Sequence, residues 1–342
     1  MESDKKFIKC YLGMFIGLLC LCGAVILIVD PFSIYHKPIC GLQTVQFSQI
    51  YQNPGYAKNF DYDIAVVGTS MTEGIRASEV GNIFEGKAVK LCESGAYTLD
   101  IGEILKIVCE NGKAKKIILG IDANMFRKEN DSYRNDLPFY LYNDNILDDY
   151  NYLFNNQFIF YNSVMMVLQN FWGNVKNLDD FYIMSDDTYS KENALYYDDR
   201  YEIPPMTWER AQQNIENITP YIEDNPEIEF YLFMPPYSVL FWQKYYLNDC
   251  VDEELKMHQQ IIEAFLKYDN VKLFYFMNSE EIITDLNNYR DAGHYSPKVC
   301  SVLVNRMHDG DNWVTEENYL ETLSEMKRFV KGYDYEQIYE SE

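Results

Sequence analysis

Ile64-Ala-Val-Val-Gly68-Thr69-Ser70 is an uninterrupted run of small and β-branched apolar residues that ends in glycine and then in two hydroxyl side chains. A strand buried on both faces of a parallel sheet has that composition, whereas a half-exposed strand alternates with polar residues. Downstream, residues 88–92 form a second, weaker strand candidate. Leu99, Ile101, Ile104, Leu105 and Val108 then recur at helical spacing, and Ile117-Ile-Leu-Gly-Ile121 is another buried strand. The alternation of strand, helix and strand predicts right-handed βαβ units feeding one parallel sheet.

The pattern stops at Asn124. Residues 125–205 are rich in Asn, Asp and Tyr, with one apolar stretch at 158–171, and read as an insertion over the sheet's carboxyl edge. Loops there form lids and substrate platforms. The core pattern resumes with a helix over 207–223, a strand over 228–234 closed by Pro235-Pro236, a helix over 251–268 and a last strand over 271–276. Five strands with intervening helices predict an α/β fold, a three-layer doubly wound parallel sheet whose sites gather at the carboxyl ends of the strands.

Upstream, residues 10–29 are an uncharged apolar run, and as a helix it would be about 30 Å long, the thickness of a bilayer's hydrocarbon core. Lys5, Lys6 and Lys9 precede it and Asp30 follows it. By the positive-inside rule residues 1–9 are a cytoplasmic tail and everything after Asp30 lies outside. No small-residue cleavage site precedes Asp30-Pro31, so the run reads as an uncleaved single-pass anchor in the cell membrane. Residues 30–60, with Pro31, Pro38 and Pro54 among Gly, Asn and Gln, read as an irregular stalk, and 61–342 as the folded domain.

The formal net charge of -24 argues against a nucleic-acid partner, because phosphate binding requires clustered Lys and Arg. Five of the eight cysteines follow the anchor, widely spaced and without a CxxC or Cys/His cluster. Neither a disulfide framework nor a metal site is expected, and unpaired thiols fit a Gram-positive bacterial surface. Thirty tyrosines contribute to an aromatic content of 16%, which suits either half-buried packing or stacking against sugar rings.

Two stretches carry candidate chemistry. Ser70 follows the first strand and precedes a helix expected over 72–80; there its hydroxyl would project from the carboxyl edge while amides at the turn stabilise an oxyanion. As a bare helix cap, Ser70 would have no such role. Asp291-Ala-Gly-His294-Tyr-Ser-Pro297 follows the last strand and leads into a helix around 299–307. Of four histidines only His294 has Asp three residues before it. A serine nucleophile needs a base, and the imidazole needs a carboxylate to fix its tautomer. Pro235-Pro236-Tyr237-Ser238 ends the fourth strand at the same edge, where Tyr237 and Ser238, with Thr69, would line the substrate pocket.

Gly68-Thr69-Ser70 near the start and Asp291-x-x-His294 near the end resemble the first and last blocks of SGNH/GDSL hydrolases, over nearly the whole region after the anchor. The resemblance implies a flavodoxin-like SGNH fold, Ser70 as nucleophile, His294 as base, Asp291 as its orienting carboxylate, and no cofactor. It also implies an oxyanion hole from the Ser70 and Gly95 amides. The family's third block carries Asn where this chain has Asp122, in Gly120-Ile-Asp122-Ala-Asn124. Either Asp122 stays protonated, or Asn124 supplies the donor, or the hole uses only two amides. The layout resembles that of anchored SGNH-like proteins of the cell envelope, including one that D-alanylates teichoic acid. It implies acyl transfer or ester hydrolysis on a cell-surface polysaccharide or teichoic-type polymer, beside a membrane-bound O-acyltransferase. The alternative is a degenerate SGNH fold that binds glycan or scaffolds an envelope complex.

Overall fold

Ile64–Gly68 is strand β1, and all five of its residues are buried, as a run without polar residues requires. In chain order it is followed by β2 (Ala88–Cys92), β3 (Lys116–Gly120), β4 (Glu229–Met234), β5 (Val271–Tyr275) and β6 (Trp313–Val314). They form one six-stranded sheet in the order β2-β1-β3-β4-β5-β6. The first five are parallel, and β6 runs antiparallel to β5, with Val314 opposite Leu273. All five expected strands are present. The sixth has two residues, too few to leave a periodicity in the sequence. The direction of strand addition reverses between β1 and β3, and the crevice at such a switch point is where open α/β sheets hold ligands.

The computed structural model describes residues 2–134, 136–155, 157–196 and 207–339. It divides into two compact units, Met1–Phe60 with Asp136–Phe181, and Asp61–Asn135 with Tyr182–Glu342. The sheet belongs to the second. Two helices there differ from expectation. Over 72–80 the chain makes a 3₁₀ turn at Ser70–Thr72 and a second tight turn that buries Ile75, and the α-helix begins only at Ala77. Over 207–223 there are two helices, Trp208–Glu216 and Thr219–Glu223, because Pro220 cannot donate a backbone bond and starts a new helix instead. The helices Thr98–Glu110, Val251–Phe265 and Pro297–Asp309 stand where the periodicity puts them.

The first unit requires two corrections. Residues 30–60 are not an irregular stalk: they carry the helix Gln49–Asn59, whose Gln49, Gln52 and Asn53 are buried. Gln52 explains the burial, since its Oε1 accepts from the amides of Phe47 (2.6 Å) and Ser48 (3.0 Å) while its Nε2 donates to Val45 O (2.8 Å) and Tyr56 Oη (2.7 Å). Amide side chains that look like loop composition here satisfy the backbone around them. The expected insertion, 125–205, is also divided: 136–181 groups with the N-terminal sixty residues, 125–134 and 182–196 stay with the sheet, and 197–206 lie outside the described residues.

The N-terminal helix, Glu2–Val29, contains one segment, Asp4–Val29, long and apolar enough to cross a membrane. It ends at Asp30, whose buried carboxylate accepts from the amides of Ile34 (3.0 Å), Tyr35 (2.7 Å) and His36 (2.9 Å) and from Tyr152 Oη (2.7 Å). Burial raises its pKa against those hydrogen bonds. The chain is thereby turned sharply at the helix end, with Asp30 itself at φ +43°.

Candidate active site

The loop after β1 is shaped by what Thr72 needs. Gly68 has φ +152°, and a Cβ there would lie 2.6 Å from Thr72 Cγ2; the same methyl group would meet a Cβ on Gly120 at 2.6 Å. The two strand-end glycines therefore let the 3₁₀ turn sit directly on the ends of β1 and β3. Thr72 Oγ1 closes it by donating to Thr69 O (2.8 Å). Ser70 is the first residue of that turn.

The loop after β5 is shaped by Asp291. Its Oδ1 accepts from the amides of Gly293 (2.9 Å) and His294 (2.8 Å), and both oxygens face His294 Nδ1, at 3.0 and 2.8 Å. With Nδ1–H donating to the carboxylate, Nε2 is left as the acceptor, and Ser70 Oγ stands 2.8 Å from it. The two loops, more than two hundred residues apart in sequence, are joined a second time by Tyr295 Oη donating to Met71 O (2.6 Å). The Asp291 and His294 side chains are 24% and 32% exposed, and Ser70 is half-buried.

Burial alone would raise the Asp291 carboxyl, but hydrogen bonding and charge from His294, with the two backbone amides, outweigh it and hold it at about 2. The folded value lies below the unfolded one of about 3.9, so the stability it contributes is complete above about pH 4 and is lost as pH falls toward 2. Asp291→Asn is accordingly expected to be less stable than wild type at neutral pH, with the gap narrowing as pH falls through that window. Urea unfolding at stepped pH checks this; a gap that stays constant across it would contradict the assignment.

Gly95, with φ +72°, lies in the loop after β2. Two cations fix that loop by its carbonyls: Arg134 donates to Ser94 O (2.8 Å), and Lys128 Nζ to Gly95 O (2.8 Å) and Ala96 O (2.9 Å). In a trans peptide the N–H points opposite to the carbonyl, so the Arg134 bond to Ser94 O turns the Gly95 N–H the other way. Among the described residues neither the Ser70 nor the Gly95 amide is paired with an acceptor. Ser94 Oγ donates to Glu73, which ties this loop to the chain just after Ser70. Neither Lys128 nor Arg134 carries a local sequence signature.

Asp122 is buried, and burial raises its pKa against the Asn124 amide and the charges of Lys128 and His294. Its Oδ1 accepts from Tyr237 Oη and from Asn124 N (2.8 Å), and its Oδ2 from Thr69 Oγ1 (3.2 Å). Both oxygens thus receive donors from the site's own walls, and Asp122 braces the loops that carry Thr69, Asn124 and Tyr237. Asn124 Nδ2 donates to Tyr237 Oη (3.2 Å). Thr69, Tyr237 and Ser238, expected to line the pocket, are 3%, 1% and 0% exposed, so they support the loops from within. Ser238 Oγ donates to Ala292 O (2.8 Å) and holds the Asp291–His294 loop against the end of β4.

Behind Asn124 runs a buried chain that sequence reading did not find. Arg127 Nη1 donates to Asn124 Oδ1 (3.3 Å), and its Nη2 to Glu254 and to Tyr245 Oη (2.5 Å). Glu254 Oε1 pairs with His258 Nε2 (3.1 Å), and His258 Nδ1 meets Tyr275 Oη (2.9 Å). Burial opposes ionisation of Glu254, but His258 and Arg127 hold its pKa down to about 2. Elsewhere, Asn217 of the sequon Asn217-Ile-Thr219 gives its side-chain amide to Thr98 Oγ1 (2.9 Å) and Asn130 O (2.8 Å) and is occupied inside the fold. Comparison of the chain with models of known families and with curated proteins returned no match.

Proposed function

We propose that the protein is a serine-dependent O-acyltransferase or esterase of SGNH type, anchored by its N-terminal helix with the sheet unit outside the cell, acting on a surface polysaccharide or teichoic-type polymer. One observation carries the chemistry: the unbroken chain Ser70 Oγ, His294 Nε2, His294 Nδ1, Asp291, with links of 2.8 and 2.8 Å. The strand order and the position of Ser70 after β1 support the SGNH reading; the lysines before the apolar helix support the orientation.

In this reading Ser70 Oγ forms a bond to the acyl carbon as its proton passes to His294 Nε2, and Asp291 stabilises the imidazolium. The Ser70 and Gly95 amides receive the oxyanion. His294 returns the proton to the departing oxygen, leaving an acyl group on Ser70 that water or a sugar hydroxyl then takes. A membrane-bound O-acyltransferase would be the donor's natural source in the transfer case. Neither step calls on a cofactor.

A fluorophosphonate probe tests it, because it modifies only a serine whose base is in place. Wild type is expected to be labelled and Ser70→Ala not. Absence of labelling in folded wild type would overturn the enzyme reading. That outcome would favour the second, a glycan-binding or scaffolding protein, for which Asp122 in the place of the family's Asn is the supporting observation.

A further inference from the structure

The helix Ile159–Trp172 contains no charged residue, and its most exposed side chains are aliphatic and aromatic. The face it buries holds Asn162 and Ser163 beside Ile159 and Met166, and Asn170 next to that face exchanges hydrogen bonds with the backbone of Gln43 (2.7 and 3.0 Å). The face it exposes presents Tyr161, Val164, Val167, Phe171 and Trp172, with Phe171 81% and Trp172 58% exposed. A surface helix in water does the opposite. The turn before it likewise exposes apolar side chains: Ile146 and Leu147 are 80% and 81% exposed, while the neighbouring Asp148 is partly buried and accepts from Asn143 (3.2 Å).

This surface continues that of the N-terminal helix. Leu153 O and the Phe154 ring lie 3.5 Å from where a side chain on Gly23 would begin, and Met166 packs with Val29 and Val25. Gly23 precedes the helix end at Val29 by six residues, or about 9 Å along its axis. A segment packed that far along a bilayer-spanning helix is at the depth of acyl chains.

Resting on the reading that the N-terminal helix spans a membrane, we propose that Ile159–Trp172 and the turn around Ile146–Phe154 form a second membrane element. It lies in the interface at the Val29 end of the anchor with its apolar face in lipid. Lipid is the fitting occupant because the helix's exposed face is aliphatic and aromatic, lacks charge, and adjoins the anchor's own lipid-facing surface, while the half-buried Asp148 and Asp149 of the turn leave Ile146 and Leu147 as its most exposed side chains. Tyr150, Tyr161 and Trp172 supply the amphipathic rings that favour the headgroup boundary. The first unit is then a foot with two contacts on the bilayer.

Nitroxide labels on the full-length protein test this, in phosphatidylethanolamine–phosphatidylglycerol vesicles and with the native exposed cysteines replaced. The label sites are Phe171→Cys and Leu147→Cys, with Leu18→Cys in the anchor and Leu320→Cys on the sheet unit as references. Labels at 171 and 147 are expected to collide with oxygen and lose access to a water-soluble nickel chelate, as at 18 and unlike 320. Nickel access at 171 and 147 with lipid exposure at 18 overturns the proposal and leaves the anchor standing. Nickel access at all sites overturns both. Labels at 171 and 147 shielded from both reagents overturn it in favour of a protein covering the face.

Discussion

His294→Ala is expected to lower turnover of an activated ester such as p-nitrophenyl acetate by on the order of 10⁴-fold, and adding Ser70→Ala to it is expected to lower turnover no further. Among the described residues Ser70 Oγ has one base within reach, His294 Nε2 at 2.8 Å. Without the imidazole the hydroxyl keeps its proton and attacks as a poor nucleophile; without the hydroxyl the imidazole has nothing to deprotonate. Either loss removes the whole path, and what remains is whatever the amides around the oxyanion contribute to direct attack by water. Rates of the two single variants and the double, measured on full-length protein in detergent, decide it. If the losses multiply, the two side chains do not act as a unit and the assignment fails.

Arg127→Met is expected to cost about 3–5 kcal/mol of stability, while Arg127→Met combined with Glu254→Leu should cost much less, because the expense is an uncompensated buried charge and not a lost attraction. Arg127 and Glu254 are 2% and 3% exposed, and His258 beside them is fully buried. Removing the guanidinium leaves the Glu254 carboxylate in low dielectric with His258, and Asn124 loses the hydrogen bond that Arg127 gives its Oδ1. Denaturant midpoints of the single and double variants measure the difference. A single variant within about 1 kcal/mol of wild type, inside the range of exposed pairs, would mean that the charges are not confined as described.

How much of this was legible in the sequence depends on the range of the interaction. β1, β3 and β4 were readable because a doubly buried strand needs a run of consecutive apolar residues, and β2 and β5 because a single half-buried lysine, Lys90 or Lys272, interrupts an otherwise apolar run. Ser70, Asp291 and His294 were readable because the loops that hold them are local: Asp291 forms its turn with amides two and three residues on. What was not readable is what arrives from elsewhere. The Gln49–Asn59 helix looked like a loop because its buried polar side chains are satisfied only once 45–56 folds around Gln52. Lys128 and Arg134 serve the Gly95 loop across more than thirty residues, and nothing at either end announces the partner. Ser238 stood at the right strand end for a pocket residue, but strand position does not tell which way a side chain faces once a second loop packs on it.

The hydrogen bond from Tyr295 to Met71 O ties the loop that carries Ser70 to the loop that carries His294. In the proposed acyl transfer such a centre would be born loaded: an arriving acyl donor would find the proton relay already aligned, with none of its docking energy diverted into bringing the halves together. Turnover would then be paced by how often a suitable carbonyl presents itself, which puts control with whatever delivers the acyl group and not with any movement of these two loops.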